Sequence, residues 1–286
     1  MKTILSGTQV TVEVAPENPT VVIGERVNPT RKKELTVALR EGRFDLVEKE
    51  AVLQKEEGAD VIDVNVGAPG VDEVTVLPQV VKLVAEVTGL PISIDSSNPS
   101  AIEAALKVCP GKPLINSVSG EARSLEKVLP LIKEYGAAVI GLCMDDSGIS
   151  SEPGKRVDIA KRILEQALAL GIKEEDVVFD PLVLAVGTDY RAGKYTLETM
   201  RLLSTELGAN IATGSSNISH GLPNRPYLNN SFIALSIQNG VNLPIVNVGA
   251  PGLMEAIRST DLLLEKDPKA SRFLKLYRSR LKKTNS

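Results

Sequence analysis

Residues Pro91 to Leu106 read Pro-Ile-Ser-Ile-Asp-Ser-Ser-Asn-Pro-Ser-Ala-Ile-Glu-Ala-Ala-Leu, and this stretch decides the fold. A β-branched run ends abruptly at Asp95. Such side chains pack well on a pleated surface, so the run predicts a buried strand. Ser96-Ser97-Asn98-Pro99 is turn chemistry: Ser and Asn bond their own backbone, and Pro restricts the residue before it. A helical pattern follows from Ser100 to Val108. The unit is therefore strand, acid at the strand's carboxyl end, then helix.

The same unit recurs on both sides. Upstream, a strand at Asp60 to Val66 carries Asp63 and Asn65, two apart and so facing the same way. A helix from Val74 to Thr88 follows it. Before that, a strand at Val21 to Val27 leads into a rim with Glu25 and Asn28, and a helix from Leu46 stops at Gly58. Downstream strands are expected at Pro113 to Val118 with Asn116, Ala137 to Met144, Val177 to Leu182 with Asp180, Asn210 to Ser215, and Leu243 to Val248 with Asn247. Helices are expected at Leu125 to Tyr135, Arg156 to Leu170, Leu197 to Leu207 and Asn230 to Asn239, with two closing helices from Leu253 and Lys269. Loop Ala185 to Lys194 contains two glycines and is expected to be mobile. Pro223-Asn224-Arg225-Pro226 reads as a polar loop.

Residues 1–20 read as a lead-in, with Gln9 to Val14 alternating like an exposed strand of a hairpin, and 21–286 as the main body. Eight strand–helix units in strict alternation predict an α/β chain folded as a closed (β/α)8 TIM barrel. An open doubly wound sheet is the rival, but no Gly-x-Gly-x-x-Gly follows the first strand. With no Trp and 3% aromatic residues, the core must be built from Val, Ile, Leu and Ala. That suits parallel strands buried on both faces. The net charge of −3, without long runs of one sign, points away from nucleic acid and anionic membrane surfaces. No signal-peptide pattern and no membrane-length apolar run is visible, so a cytoplasmic protein is expected. Cys109 and Cys143 lie far apart and read as buried thiols.

Nearly every strand ends in Asp, Asn or Glu, and in a barrel such residues form one ring. The single histidine, His220, and the absence of Gly-x-Ser-x-Gly argue against a Ser-His-Asp triad. No cluster of His or Cys suggests zinc; magnesium on Asp and Asn oxygens stays open, and no metal is assigned. Asp and Asn together match the edge of a flat heterocycle with a guanidine-like face, such as a pterin. Each hydrogen bond to a charged acceptor there is worth about 1.5–3 kcal/mol. Plainer readings compete. Asp at a strand end is often a helix cap, although Asn98 or Ser100 is the better cap here. Asn116 has little capping use inside an apolar strand. Asn217 reads equally as a turn former, His220 as a loop hydrogen-bonder, Arg225 as a structural partner for a carboxylate, and Gly67-Ala68-Pro69-Gly70 as a tight turn.

Taken together, Ile23-Gly24-Glu25-Arg26-Val27-Asn28, Ile62-Asp63-Val64-Asn65-Val66-Gly67, Ile94-Asp95-Ser96-Ser97-Asn98, Leu114-Ile115-Asn116-Ser117, Asp180-Pro181-Leu182, and Ser216-Asn217-Ile218-Ser219 with Asn224-Arg225-Pro226 resemble the pterin-binding methyltransferases. Within that group the chain is similar to methyltetrahydrofolate:corrinoid protein methyltransferases and the folate domain of cobalamin-dependent methionine synthase. The resemblance implies a dihydropteroate-synthase-like barrel in which Asp95, Asn116 and Asp180 hold the pterin. It implies that Asn217 is the catalytic amide approaching N5. Glu25, Asp63, Asn65, Met144, Ser216 and Arg225 would be further substrate-binding residues.

The substrate would be tetrahydrofolate or 5-methyltetrahydrofolate. The corrinoid (cobalamin) would arrive on a separate protein, because no Asp-x-His-x-x-Gly motif is present. A homodimer is implied as well. The reading leans toward transfer from a methylated corrinoid protein to tetrahydrofolate in a demethylation pathway. The alternatives are the methyltetrahydrofolate:corrinoid/iron–sulfur protein methyltransferase of acetyl-CoA synthesis, a dihydropteroate synthase, and a non-catalytic folate-binding protein. Against the synthase, Glu25-Arg26-Val27-Asn28 stands where its first loop reads Asn-Val-Thr-Pro-Asp-Ser, and no Lys-x-x-x-Arg pattern follows strand seven.

Overall fold

The computed structural model describes residues 1–284. The chain opens in an antiparallel hairpin, β1 (Thr3–Ser6) and β2 (Thr11–Val14). The body follows as β3 (Ile23–Val27), α1 (Lys33–Arg40), α2 (Asp45–Glu57), β4 (Val61–Val64), α3 (Glu73–Thr88), β5 (Ile92–Asp95), α4 (Pro99–Leu106), β6 (Leu114–Ser119), α5 (Ala122–Tyr135) and β7 (Ala138–Leu142). It continues as α6 (Pro153–Ala169), β8 (Val177–Asp180), α7 (Ala192–Leu207), β9 (Ile211–Gly214), α8 (Arg225–Gln238), β10 (Val241–Val246), α9 (Leu253–Leu263) and α10 (Ser271–Thr284). Strands β3 to β10 pair in parallel in chain order, and β10 closes on β3 with Ile245 opposite Ile23 and Val246 opposite Gly24. The closed eight-stranded barrel is the one expected.

Two apolar layers explain the closure. Successive strand side chains point to opposite faces. Thus Val61, Leu114, Ala138 and Val178 fill the barrel interior, while Ile62, Ile115, Val139 and Phe179 face the helices. The hairpin joins the inner layer through Leu5 and Val14, which are 0% and 1% exposed. Asn210, just before β9, donates from Nδ2 to Thr3 Oγ1 at 2.8 Å and to the Val14 carbonyl at 3.1 Å. Ser6 bridges to Lys112, just before β6. The hairpin thus caps the barrel at the amino ends of its strands.

Local signals set the helix ends. Helix α2 stops at Gly58, whose φ of 105° is open to glycine and strained for other residues. Asn98 caps α4, accepting from the Ser100 amide at 3.1 Å, which leaves Asp95 free of that duty. Three expectations need correction. Helix α1 lies in a stretch assigned no element, although Leu35, Ala38 and Leu39 are buried at helical spacing. Helix α8 starts at Arg225, not Asn230, because Pro226 sits in its first turn, where the missing N–H costs nothing. The loop expected over Ala185 to Lys194 is shorter, because Ala192, Gly193 and Lys194 belong to α7, and within it the Val186 amide donates to the Ile218 carbonyl at 3.0 Å. Cys143 is buried, Cys109 half-buried, and both are free thiols. Among the described residues, no helix is long and apolar enough to cross a membrane.

Candidate functional site

The parallel register puts Asp95 opposite Asn116, and Asp63 opposite Ser93 one step lower. Asp63 is 2% exposed. Its Oδ1 accepts from Ser93 Oγ at 2.6 Å and from Asn116 Nδ2 at 3.2 Å. Asn65 Nδ2 donates to Asp95 Oδ2 at 2.9 Å, and Asp63 hydrogen-bonds the same carboxylate. Burial pushes the Asp63 carboxyl well above the usual range, and the nearby Asp95 charge pushes it further. Asp95 is also raised by burial, against the pull of Asn65 and Asp63. The two carboxyls are close and buried, so they titrate as a coupled pair, both above the usual carboxylate range and the deeper Asp63 the more strongly. Asp95 presents its carboxyl to the mouth, and Asn116 is oriented by its bond to Asp63. A cavity of about 320 Å³ borders this group, lined by Asp95, Ser96, Asn116, Ser117 and Leu142 among others.

Asp180 ends β8 opposite Leu142 on β7. Its Oδ1 accepts from the Leu182 amide at 2.7 Å, and the Gly214 amide also donates to its carboxylate. Burial raises its pKa to about 6, opposed by these amides and by Arg156. Leu182 has a φ of 64°, a costly conformation for a bulky residue. The fully buried Arg156 holds the segment in place. It donates to the Pro181 and Leu182 carbonyls at 2.7 and 2.9 Å and stacks over Tyr195 with its guanidinium carbon 5.3 Å from the ring centroid. Nothing in the sequence marks Arg156, because its partners are backbone carbonyls.

Asn217 lies on a 3-10 turn, Ser215–Ser219, that follows β9. It is exposed, and its amide leans over Gly214, where an added Cβ would come within 3.1 Å of Nδ2. Arg225 braces the turn: Nε donates to Ser219 Oγ and Nη2 to the Ser216 carbonyl, both at 2.8 Å. The plainer reading, a carboxylate partner, gives way to bonds to the turn itself. Arg225 nonetheless acts on Glu25 at a distance. Burial raises Glu25 to about 7, opposed by Lys32, Arg225 and a backbone hydrogen bond from Asn247. Lys32, not singled out from the sequence, donates from Nζ to the Arg26 carbonyl at 2.6 Å. Its one visible signal is its place in the first rim loop.

The predicted residues therefore fall into two bonded groups. Asp63, Asn65, Asp95 and Asn116 form one. Ser216, Asn217 and Arg225, with Glu25 nearby, form the other. Asp180 links to the second through Gly214. Met144 is half-buried beyond β7, and its carbonyl accepts from the Gly120 amide at 2.8 Å; no side-chain bond ties it to either group. Asn28 and Asn247 leave the ring for local turns, accepting from the Thr30 and Gly249 amides. Exposed His220 is lowered by burial, Arg225 and Arg31. Ser93 and Glu73 are additions: Ser96 Oγ donates to Glu73 Oε2 at 2.7 Å. Among the described residues, no group of three or more His, Cys, Asp or Glu is arranged to hold a metal ion.

With this geometry in view, the likenesses to known proteins are informative. Dihydropteroate synthase from Xanthomonas albilineans with 4-aminobenzoic acid superposes with a TM-score of 0.70 at 19% identity, covering 92% of this chain and 99% of that one. The Yersinia pestis dihydropteroate synthase gives 0.67 at 17% identity, again covering 92% and 99%. Those likenesses show the fold. In sequence, the chain is 30% identical over 266 residues to the methylcorrinoid:tetrahydrofolate methyltransferase of Eubacterium limosum, covering 90% of this chain and 96% of that protein. Residues 24–247 match the family of pterin binding enzymes. A match spanning the barrel from β3 to β10, together with this relative, places the chain in the pterin-binding enzyme family.

Proposed function

We propose that this protein transfers a methyl group between the cobalt of a corrinoid on a separate protein and N5 of tetrahydrofolate, working toward methyltetrahydrofolate. The observation that carries the reading is the Asp63–Asp95–Asn116 network, carboxyl oxygens beside an oriented amide. A pterin offers a complementary edge of N–H donors and ring acceptors. Asp180 would take a further donor of the same edge. The relative's name supports the methyl donor and the direction.

The corrinoid would supply the methyl group and keep the electron pair of the broken bond. The protein's part is to seat the pterin, aim N5 at the open mouth and manage one proton. Positioning carries much of the rate in such a displacement. As N5 forms its bond to the methyl carbon, positive charge develops on it. Asn217, exposed beside Gly214, can stabilise that charge through its amide oxygen. The proton then leaves N5. Glu25, with a pKa of about 7, is a group on the same rim that can accept it near neutral pH.

Titration with tetrahydrofolate and 5-methyltetrahydrofolate, followed by methyl exchange with free methylcobalamin, tests the reading. Binding with exchange supports it. Binding without exchange leaves a folate-binding protein, and condensation of 4-aminobenzoate with a pterin pyrophosphate would show a synthase instead. A homodimer belongs to the same proposal; exposed Leu235, Leu263 and Tyr277 on α8 to α10 support a self-association face, and sedimentation tests it.

A further inference from the structure

A second cavity, of about 550 Å³, lies between α1 and the start of α2. Four cations line it, Arg31, Lys32, Lys33 and Lys49, against Glu34 and Glu50. Glu50 is already committed to Arg26, with 2.8 Å between Oε2 and Nε. Lys33 and Lys49 are exposed and, among the described residues, pair with no carboxylate. Leu35 and Leu46 supply an apolar floor. In a chain whose net charge is −3, this is a local excess of positive charge. The cavity is many times the roughly 30 Å³ share of one water, so it suits an extended chain rather than a single ion.

Its position follows from the barrel order. Asp95, Asn116 and Asp180 end β5, β6 and β8, so a pterin edge gripped there points its other end across the mouth toward β9, β10 and β3. On that side β3 runs into Arg31, Lys32 and Lys33. Lys32 sits between cavity and mouth, bonding the Arg26 carbonyl next to Glu25. Arg31 is close enough to His220 for its charge to be felt there. The substituent at the far end of a folate is an aminobenzoyl group followed by glutamate.

We infer that the basic cleft between α1 and α2 takes the γ-linked glutamyl tail of a folate polyglutamate. The inference rests on the folate reading above. Each glutamyl unit carries an apolar stretch, which meets Leu35 and Leu46, and a carboxylate, which meets the lysines. The attraction is between partly exposed charges, so it is moderate and salt-dependent.

The test compares 5-methyltetrahydrofolate monoglutamate with its triglutamate by calorimetry, on the wild type and on the Lys33→Ala/Lys49→Ala double variant. At low salt the wild type should bind the triglutamate roughly three- to tenfold more tightly, with the gap closing as salt rises. In the double variant the two should bind alike, with monoglutamate affinity and thermal unfolding unchanged. A Lys33→Glu/Lys49→Glu variant should prefer the monoglutamate. Equal binding of both forms to the wild type, or a preference that survives in the double variant, overturns the inference while leaving the folate reading intact. Failure of the wild type to bind either form overturns both.

Discussion

Asp63 hydrogen-bonds Asp95 on the neighbouring strand, and burial pushes both carboxyls above their usual range, Asp63 the more strongly. A proton shared by the pair would therefore sit on the lower acid and leave the upper one charged, so their side chains should not be interchangeable. Asn in place of Asp63 keeps an oxygen for Ser93 and Asn116 and an N–H for Asp95. Asp63→Asn should leave tetrahydrofolate affinity within about threefold. Asp95→Asn removes the anionic acceptor and should weaken it roughly tenfold or more. Calorimetric titration at neutral pH reads both, and equal losses would contradict the unequal sharing of the proton.

Asp180→Ala should raise the dissociation constant for tetrahydrofolate roughly ten- to a hundredfold, the scale of a lost hydrogen bond to a charged acceptor. Unchanged affinity would remove Asp180 from the pterin site.

For Asn217 the split runs the other way. An amide that matters as charge develops on N5 affects rate more than binding. Asn217→Ala should slow methyl transfer about a hundredfold, with folate affinity changed less than about threefold. Single-turnover rates beside equilibrium titrations separate the two, and matching losses in both would exclude the assigned role.

Glu25 should make the reaction toward methyltetrahydrofolate pH-dependent. Its folded pKa of about 7 stands above its ordinary 4.5. The ionised form that accepts a proton therefore grows in as pH rises through 7, and the rate should rise with it. Glu25→Gln should be slower and lose that limb. Stability moves oppositely. Between 4.5 and 7 the folded chain holds the proton more tightly than the unfolded one, so Glu25 costs stability as pH rises through that window. Denaturant midpoints at pH 5 and pH 8 should drop less for the variant than for the wild type.

Leu5→Ala should destabilise the protein by about 2–5 kcal/mol, the range for emptying a fully buried leucine site. Leu5 is 0% exposed in the inner layer, so denaturant unfolding should show the loss, while folate affinity at the opposite end stays unchanged.

The barrel was legible because burial on both strand faces leaves a strong mark: continuous Val, Ile and Leu runs that stop at polar residues. Asp95, Asn116 and Asp180 were legible for the same reason, as polar groups where apolar pattern ends. Partners were not legible. That Ser93 completes the Asp63 site depends on strand register, which no single strand encodes. That Arg156 holds the segment after Asp180 depends on backbone carbonyls, which have no sequence letter. Helix α1 went unassigned because its eight residues carry a short apolar repeat among four charged or polar positions. Arg225 was singled out through the resemblance, but its bonds to Ser216 and Ser219 required knowing that a 3-10 turn lay beneath it.

The hairpin under the barrel has a kinetic corollary. With Val61, Leu114, Ala138 and Val178 packing the barrel and Leu5 and Val14 closing the floor beneath them, a folate held at Asp95 as proposed would come and go through the ceiling, the same doorway through which a cobalt carrier would reach N5. The two visitors then cannot pass each other. On the proposed function, folate would be in place before the carrier docks, and the carrier would depart before the product. An ordered sequence of arrivals and departures would thus follow from one closed end, which the two short strands at the start of the chain complete, far from the chemistry it schedules.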